Sequence, residues 1–206
     1  MKIAVTGGPS AGKTAIVELI SKQFRDSVVA VPEAASILFR GGFPRRGTPV
    51  SLQHQQRAIY FVQVELEALA RAENPAKVIL CDRGTVDGAA YWPGPPHEFF
   101  ESVGTTGRAE ISRYDYVIHL ESPNGHAYDR SNPVRIEQPY EAHLLDTKTK
   151  EIWSSHPRRF IIHCHKNFSE KVSEVFDHVS MIIETSCDSL ALEVRDNLSK
   201  PRFKID

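Results

Sequence analysis

Cysteine is scarce in this chain: Cys81, Cys164 and Cys187 stand alone among 206 residues. Their odd number and wide spacing exclude a disulfide framework or a Cys-x-x-Cys metal site, and a reducing, cytoplasmic setting is expected. Charge of one sign is also missing. Lys and Arg total 25 against 26 Asp and Glu, a formal charge of −1. Sequence-independent nucleic-acid binding needs a basic excess, so no nucleic-acid partner is expected. No apolar run approaches the ~18–20 residues of a membrane span. The start of the chain holds only Ile3-Ala4-Val5 before glycines begin, too short a run for a signal peptide. A membrane partner is therefore not expected either. Internal repeats and low-complexity segments are absent.

What is present is ordinary globular usage, 41% apolar and 25% charged, at a length that predicts one domain over residues 1–206 with a full core. Short apolar runs at Ile3–Val5, Val28–Val31, Lys77–Cys81, Tyr116–Leu120 and Phe160–Ile162 predict five buried strands. Between them the pattern predicts helices over 13–25, 33–40, 85–92, 97–103, 106–113 and 137–153. A long helix capped by Ser51 is expected to end near Asn74-Pro75, its apolar stripe formed by Leu52, Ile59, Val62, Leu66 and Leu69. A last helix is capped by Asn167 with Glu170 three residues on. Strands alternating with amphipathic helices give an α/β three-layer sandwich around a mostly parallel five-stranded sheet. Ligands bind such sheets beyond the strand C-termini.

The segment after the first strand, Gly7-Gly8-Pro9-Ser10-Ala11-Gly12-Lys13-Thr14, satisfies G-x-x-x-x-G-K-[ST] at every fixed position and precedes a helix, as the motif requires. Glycines let several N–H groups point at one anion, and the helix adds its positive end. Lys13 is expected to bridge the β- and γ-phosphates of ATP or GTP, and Thr14 to hold Mg²⁺. Asp82, closing the third strand beside this cradle, is a second candidate for a Mg²⁺ role, with a helix N-cap as the alternative. The cradle alone does not choose between a nucleotide switch and a phosphotransferase. Asn-Lys-x-Asp and Asp-x-x-Gly, the marks of a GTP switch, do not occur: Gly84 follows Asp82 by two residues.

Together with the cradle, Pro32-Glu33-Ala34-Ala35, Cys81-Asp82-Arg83-Gly84 and the Arg130…Arg135 segment resemble the nucleoside and nucleotide kinase branch of P-loop proteins. The chain is similar, over about residues 1–185, to the small AAA-like family that includes the kinase domain of NadR and the TRPL translocation defect protein. That resemblance implies nucleotide binding, and it implies residue roles. Glu33 matches a carboxylate that takes the proton of an attacking hydroxyl, which an alcohol acceptor needs; the alternative is a first-turn carboxylate meeting the helix dipole. Arg83 matches an arginine that grips phosphate oxygens, or else forms a surface ion pair. Arg130 and Arg135 match lid arginines that close over the γ-phosphate, or else lie on a solvated loop. Arg45, Arg46, Gln53, Gln56, Tyr60, Gln63, Tyr91 and Trp92 are candidates to line the pocket of a small-molecule acceptor. His163 and His165 share a strand face without making a metal site. The expected activity is transfer of the γ-phosphoryl group of ATP, with Mg²⁺, to a hydroxylic, nucleoside-like acceptor; the rival is a nucleotide-hydrolysing switch acting on a protein.

Overall fold

The computed structural model describes residues 1–122, 139–164 and 167–199, without the side chains of 139 and 186–199. The five strands are β1 (Lys2–Thr6), β2 (Val28–Val31), β3 (Val78–Asp82), β4 (Tyr116–Leu120) and β5 (Arg159–Ile162). They form one all-parallel sheet in the order β2-β3-β1-β4-β5. Buried residues run continuously from Ile3 in β1 and through all of β3 and β4 because both sheet faces are covered. Side chains alternate across the sheet. Ile3 and Val5 meet α1 (Lys13–Gln23) and α7 (Phe168–Ser199), where Ile16, Ile20, Val175 and Val179 complete one core. Ala4, Ile79 and Cys81 face a second core with Tyr60, Phe99 and Trp153. Tyr60 comes from α3 (Pro49–Glu73) and Phe99 from α4 (Pro96–Ser102), and Trp153 directly follows α6 (Pro139–Ile152). Among the described residues no helix is long and apolar enough to cross a membrane.

The register lines up the strand ends. Val5 sits beside Asp82, Thr6 beside His119 and Val31 beside Cys81. The loops after β1, β2, β3 and β4 therefore leave one edge together, and the order turns at β1, where the crevice opens. Helices α2 (Ala34–Arg40), α5 (Gly107–Ile111) and a 3₁₀ segment (Thr85–Ala90) are the remaining elements among the described residues.

Three expectations are corrected. The cap of α3 is Thr48, whose Oγ1 accepts from the Ser51 N–H, with Pro49 in the first turn, where its missing N–H is no loss. The helix expected over 85–92 is a 3₁₀ segment that ends at Ala90. The inward face of α3 is polar. Gln56, Tyr60, Gln63 and Glu67, spaced four, three and four apart, are buried, while Leu69 is 56% exposed. The cap of α7 agrees: Asn167 Oδ1 accepts from the Glu170 N–H at 2.9 Å, and its Nδ2 reaches Glu170 Oε1 at 2.8 Å.

Candidate active site

The loop between β1 and α1 takes the turn its glycines permit. Gly7 (φ 126°), Ser10 (φ 62°) and Gly12 (φ 88°) all lie at positive φ, a sequence of conformations that gathers N–H groups around an anion. A Cβ on Gly7 would stand 2.0 Å from the Leu120 carbonyl oxygen. Lys13 folds back and donates to the carbonyls of Gly7 (3.0 Å) and Gly8 (2.7 Å). Burial, then the Arg83 charge, lowers its pKa to about 7 despite nearby carboxylates. An anionic phosphate would reverse that effect.

The loop is braced from behind. Asp146 Oδ1, from α6, accepts from the Gly8 N–H at 2.8 Å and from His119 Nε2 at 3.0 Å, and Oδ2 meets the Ser122 N–H at 3.4 Å. Ser122 Oγ donates to the Pro9 carbonyl at 2.9 Å. Burial works against the Asp146 charge, but the His119 hydrogen bond and the Gly8 N–H outweigh it and hold the carboxyl below the usual range. From α7, Lys171 donates to the carbonyls of Ala11 and Glu121.

Thr14 Oγ1 donates to Asp82 Oδ2 at 2.6 Å, and Asp82 Oδ1 is buried with no partner among the described residues. Burial and then the Glu33 charge raise the Asp82 pKa to about 6. An orphaned carboxylate oxygen beside a hydroxyl at the cradle fits Mg²⁺, which takes one or two protein oxygens and completes its shell from phosphates and water. Among the described residues no group of three or more His, Cys, Asp or Glu forms a metal cage.

Arg83 adopts φ 77°, rare for a side-chain-bearing residue. Its N–H donates to the Val5 carbonyl at 3.0 Å and its own carbonyl accepts from Gln63 Nε2 at 3.2 Å. The guanidinium then reaches Glu33 Oε1 (Nε, 2.7 Å), Asp87 Oδ2 (Nη1, 3.2 Å) and the Gly7 carbonyl (Nη1, 3.3 Å). Asp87 is fixed in turn by Thr6 Oγ1 at 2.8 Å and Trp153 Nε1 at 2.6 Å. Glu33, at the N-cap of α2, also accepts from Ser36 Oγ. Burial alone would raise the Glu33 pKa, but Arg83 and Ser36 overcome it and hold it at about 2.

From the cradle a cavity of about 250 Å³ runs between α2 and α3. Arg45, Arg46, Gln56, Tyr60, Gln63 and Tyr91 line it as expected, whereas Gln53 and Trp92 do not. Gln56 is 6% exposed and its side chain makes no hydrogen bond among the described residues. Thus Lys13, Thr14, Glu33, Asp82 and Arg83 converge on the edge that the cradle occupies. Arg130, Arg135 and His165 lie outside the described residues. His163 faces solvent and meets Glu121 Oε2 at 3.1 Å. Asp87, His119 and Asp146 were not singled out in the sequence; their partners lie 24 to 138 positions away, apart from the Arg83–Asp87 pair.

None of the curated proteins matches this chain. Among solved structures, the Mycoplasma mycoides (M. mycoides) deoxyadenosine kinase with bound dATP superposes with a TM-score of 0.58 at 16% identity, covering 87% of this chain and 99% of that one. The same kinase with dCMP and a flexible dCDP gives 0.58 at 14%, covering 88% and 100%. At that identity the likeness is one of fold, the P-loop kinase fold. A family model described as an AAA domain matches residues 2–171, most of the length and all of the site above, so the chain belongs to that AAA domain family.

Proposed function

We propose that the protein is a P-loop phosphotransferase that moves the γ-phosphoryl group of ATP (or GTP) to a small hydroxylic, nucleoside-like acceptor. The observation that carries this reading is the Glu33–Arg83 pair, set where the cavity meets the cradle. A carboxylate there serves an alcohol, which must lose a proton as it attacks. The acceptor oxygen bonds to the γ-phosphorus, the bond from that phosphorus to the β–γ bridging oxygen breaks, and ADP leaves. The hydroxyl proton passes to Glu33. While Arg83 grips Glu33 the carboxylate is a weak base; as the guanidinium turns to the charge spreading on the phosphoryl oxygens, Glu33 gains basicity when it is needed. Mg²⁺, when bound, would neutralise charge on the β- and γ-phosphates, with Thr14 and Asp82 as its protein-side holders. Gln56, which lines the cavity and carries both a donor and an acceptor, suits the hydrogen-bonding edge of a nucleobase. A protein-directed switch would have no use for such a cavity beside the γ-phosphate. Kinship with the NadR kinase domain belongs to this same reading.

The test is a panel of nucleosides and other ribosides incubated with ATP and Mg²⁺, with ADP release as readout. Acceptor-dependent ADP release is expected, and Lys13→Ala should abolish it while leaving the fold intact, because Lys13 bonds loop carbonyls rather than core. Slow hydrolysis unaffected by every acceptor would refute the kinase reading.

A further inference from the structure

The charge along the acceptor cavity is uneven. Among the described residues its lining holds two carboxylates, Glu33 and Asp87, and both are bonded to Arg83 at the inner end. Three more arginines line it: Arg40 at the end of α2, and Arg45 and Arg46 in the connection to α3. That connection is held in place. The Arg45 guanidinium lies 4.7 Å over the Phe39 ring, which lines the same wall. The Arg46 carbonyl accepts from Nε2 of buried Gln55 at 2.8 Å, and the same amide bonds Ser51 Oγ at 2.9 Å. Seven helical residues separate Glu33 from Gly41, a rise of ~10 Å. The cavity thus has a balanced reacting end and a positively charged outer end about that far away.

From this charge asymmetry we propose that the acceptor bears an oxyanion, carboxylate or phosphate, on the part of the molecule away from its attacking hydroxyl, and that Arg40, Arg45 and Arg46 select for it. The inference rests on the phosphotransferase reading and narrows its substrate class. Guanidinium forks match both oxyanions. Guanidinium groups gathered at one mouth raise the local concentration of anions, which an anionic acceptor uses and a neutral nucleoside does not.

The test uses the full chain with its cradle filled by ADP and Mg²⁺, and titration calorimetry. Uridine is compared with orotidine for the carboxylate arm, and adenosine with adenosine 3′-monophosphate for the phosphate arm. In at least one arm the anionic member should bind tenfold or more tightly than its neutral partner at low salt. The preference should fall to within twofold in Arg45→Ala/Arg46→Ala and in Arg40→Ala, with ADP affinity unchanged. The arm that shows the preference names the anion. Equal affinities within both pairs, no binding by either anionic member, or a preference that survives the arginine substitutions overturns the proposal. If ADP itself does not bind, the phosphotransferase reading fails first, and the two failures are told apart by that measurement.

Discussion

Asp146 gives the sharpest test of how the nucleotide loop is held. Its Oδ1 accepts from both the Gly8 N–H and His119 Nε2, while Oδ2 faces the Ser122 N–H at 3.4 Å. Asp146→Asn can keep the two bonds at Oδ1, but as neutral ones, and it turns an amide donor toward Ser122. Charge-assisted bonds contribute ~1.5–3 kcal/mol and neutral ones about 1, so the cost should be ~2 kcal/mol. Asp146→Ala strands two buried donors as well and should cost ~4 kcal/mol. Urea unfolding at pH 7 measures both. The pH dependence has a definite sign. The folded pKa lies below the ordinary carboxylate value, so the stabilisation is complete above the unfolded value, near pH 4, and is lost as pH falls through the folded pKa. The gap between the native protein and Asp146→Asn should therefore hold from pH 7 to pH 5 and narrow below about pH 4. Because Gly8 and Pro9 are tied to this cluster, a loosened loop must be re-ordered by its ligand, and ADP affinity should fall about tenfold, the equivalent of 1.4 kcal/mol. If Asp146→Asn unfolds within about 0.5 kcal/mol of the native protein and binds ADP equally well, α6 does not brace the loop.

Glu33→Gln should lower kcat with acceptor by ~10²–10⁴ while ADP affinity, measured by calorimetry, is retained; an unchanged kcat would leave Glu33 as a partner of Arg83 only. Gly7→Ala forces a side chain to φ 126° with its Cβ 2.0 Å from a backbone oxygen, and should destabilise by ~3 kcal/mol or more in urea unfolding. Gln63→Leu removes the donor to the Arg83 carbonyl and to Glu67 Oε1; it should cost ~1–3 kcal/mol and, on the proposed role of Arg83 in the transition state, depress kcat more than it raises the KM for ATP.

The sheet was legible in the sequence because buried parallel strands are uninterrupted apolar runs, and the loop was legible because its geometry admits only a few residue types. Lys13, Thr14, Glu33, Asp82 and Arg83 could be placed together for one reason: each follows or ends a predicted strand, and parallel strands end on one edge. Helix α3 was misjudged because hydrophobic periodicity weighs a helix by its own residues. Glu67 is buried by partners elsewhere in the chain: Lys2 Nζ at 2.6 Å, Tyr114 Oη at 2.6 Å and Arg113 Nη2 at 3.3 Å. His119 and Asp146 carry no local signal at all, one lying in an apolar strand and the other on an amphipathic helix.

The buried polar layer beneath the cavity explains why α3 turns that face inward. Glu110 accepts from Tyr60 Oη, Thr85 Oγ1 and Thr105 Oγ1, and Glu67 from Gln63, Tyr114 and Lys2. Burying two carboxylates costs several kcal/mol each before their partners respond, so an apolar floor would hold the fold at least as well. What an apolar floor lacks is direction. Gln63 hangs from Glu67 and donates to the Arg83 carbonyl, and Thr85, two residues on, is held at its N–H by Tyr114 Oη at 2.7 Å. Arg83 between these anchors keeps a backbone conformation that costs ~1–2 kcal/mol in isolation, and that conformation sends its guanidinium back toward Glu33, Asp87 and Gly7. The polar face of α3 thus does two jobs with one stripe: Gln55, Gln56 and Gln63 line the cavity, and Gln63 also fixes the arginine at the cavity's inner end.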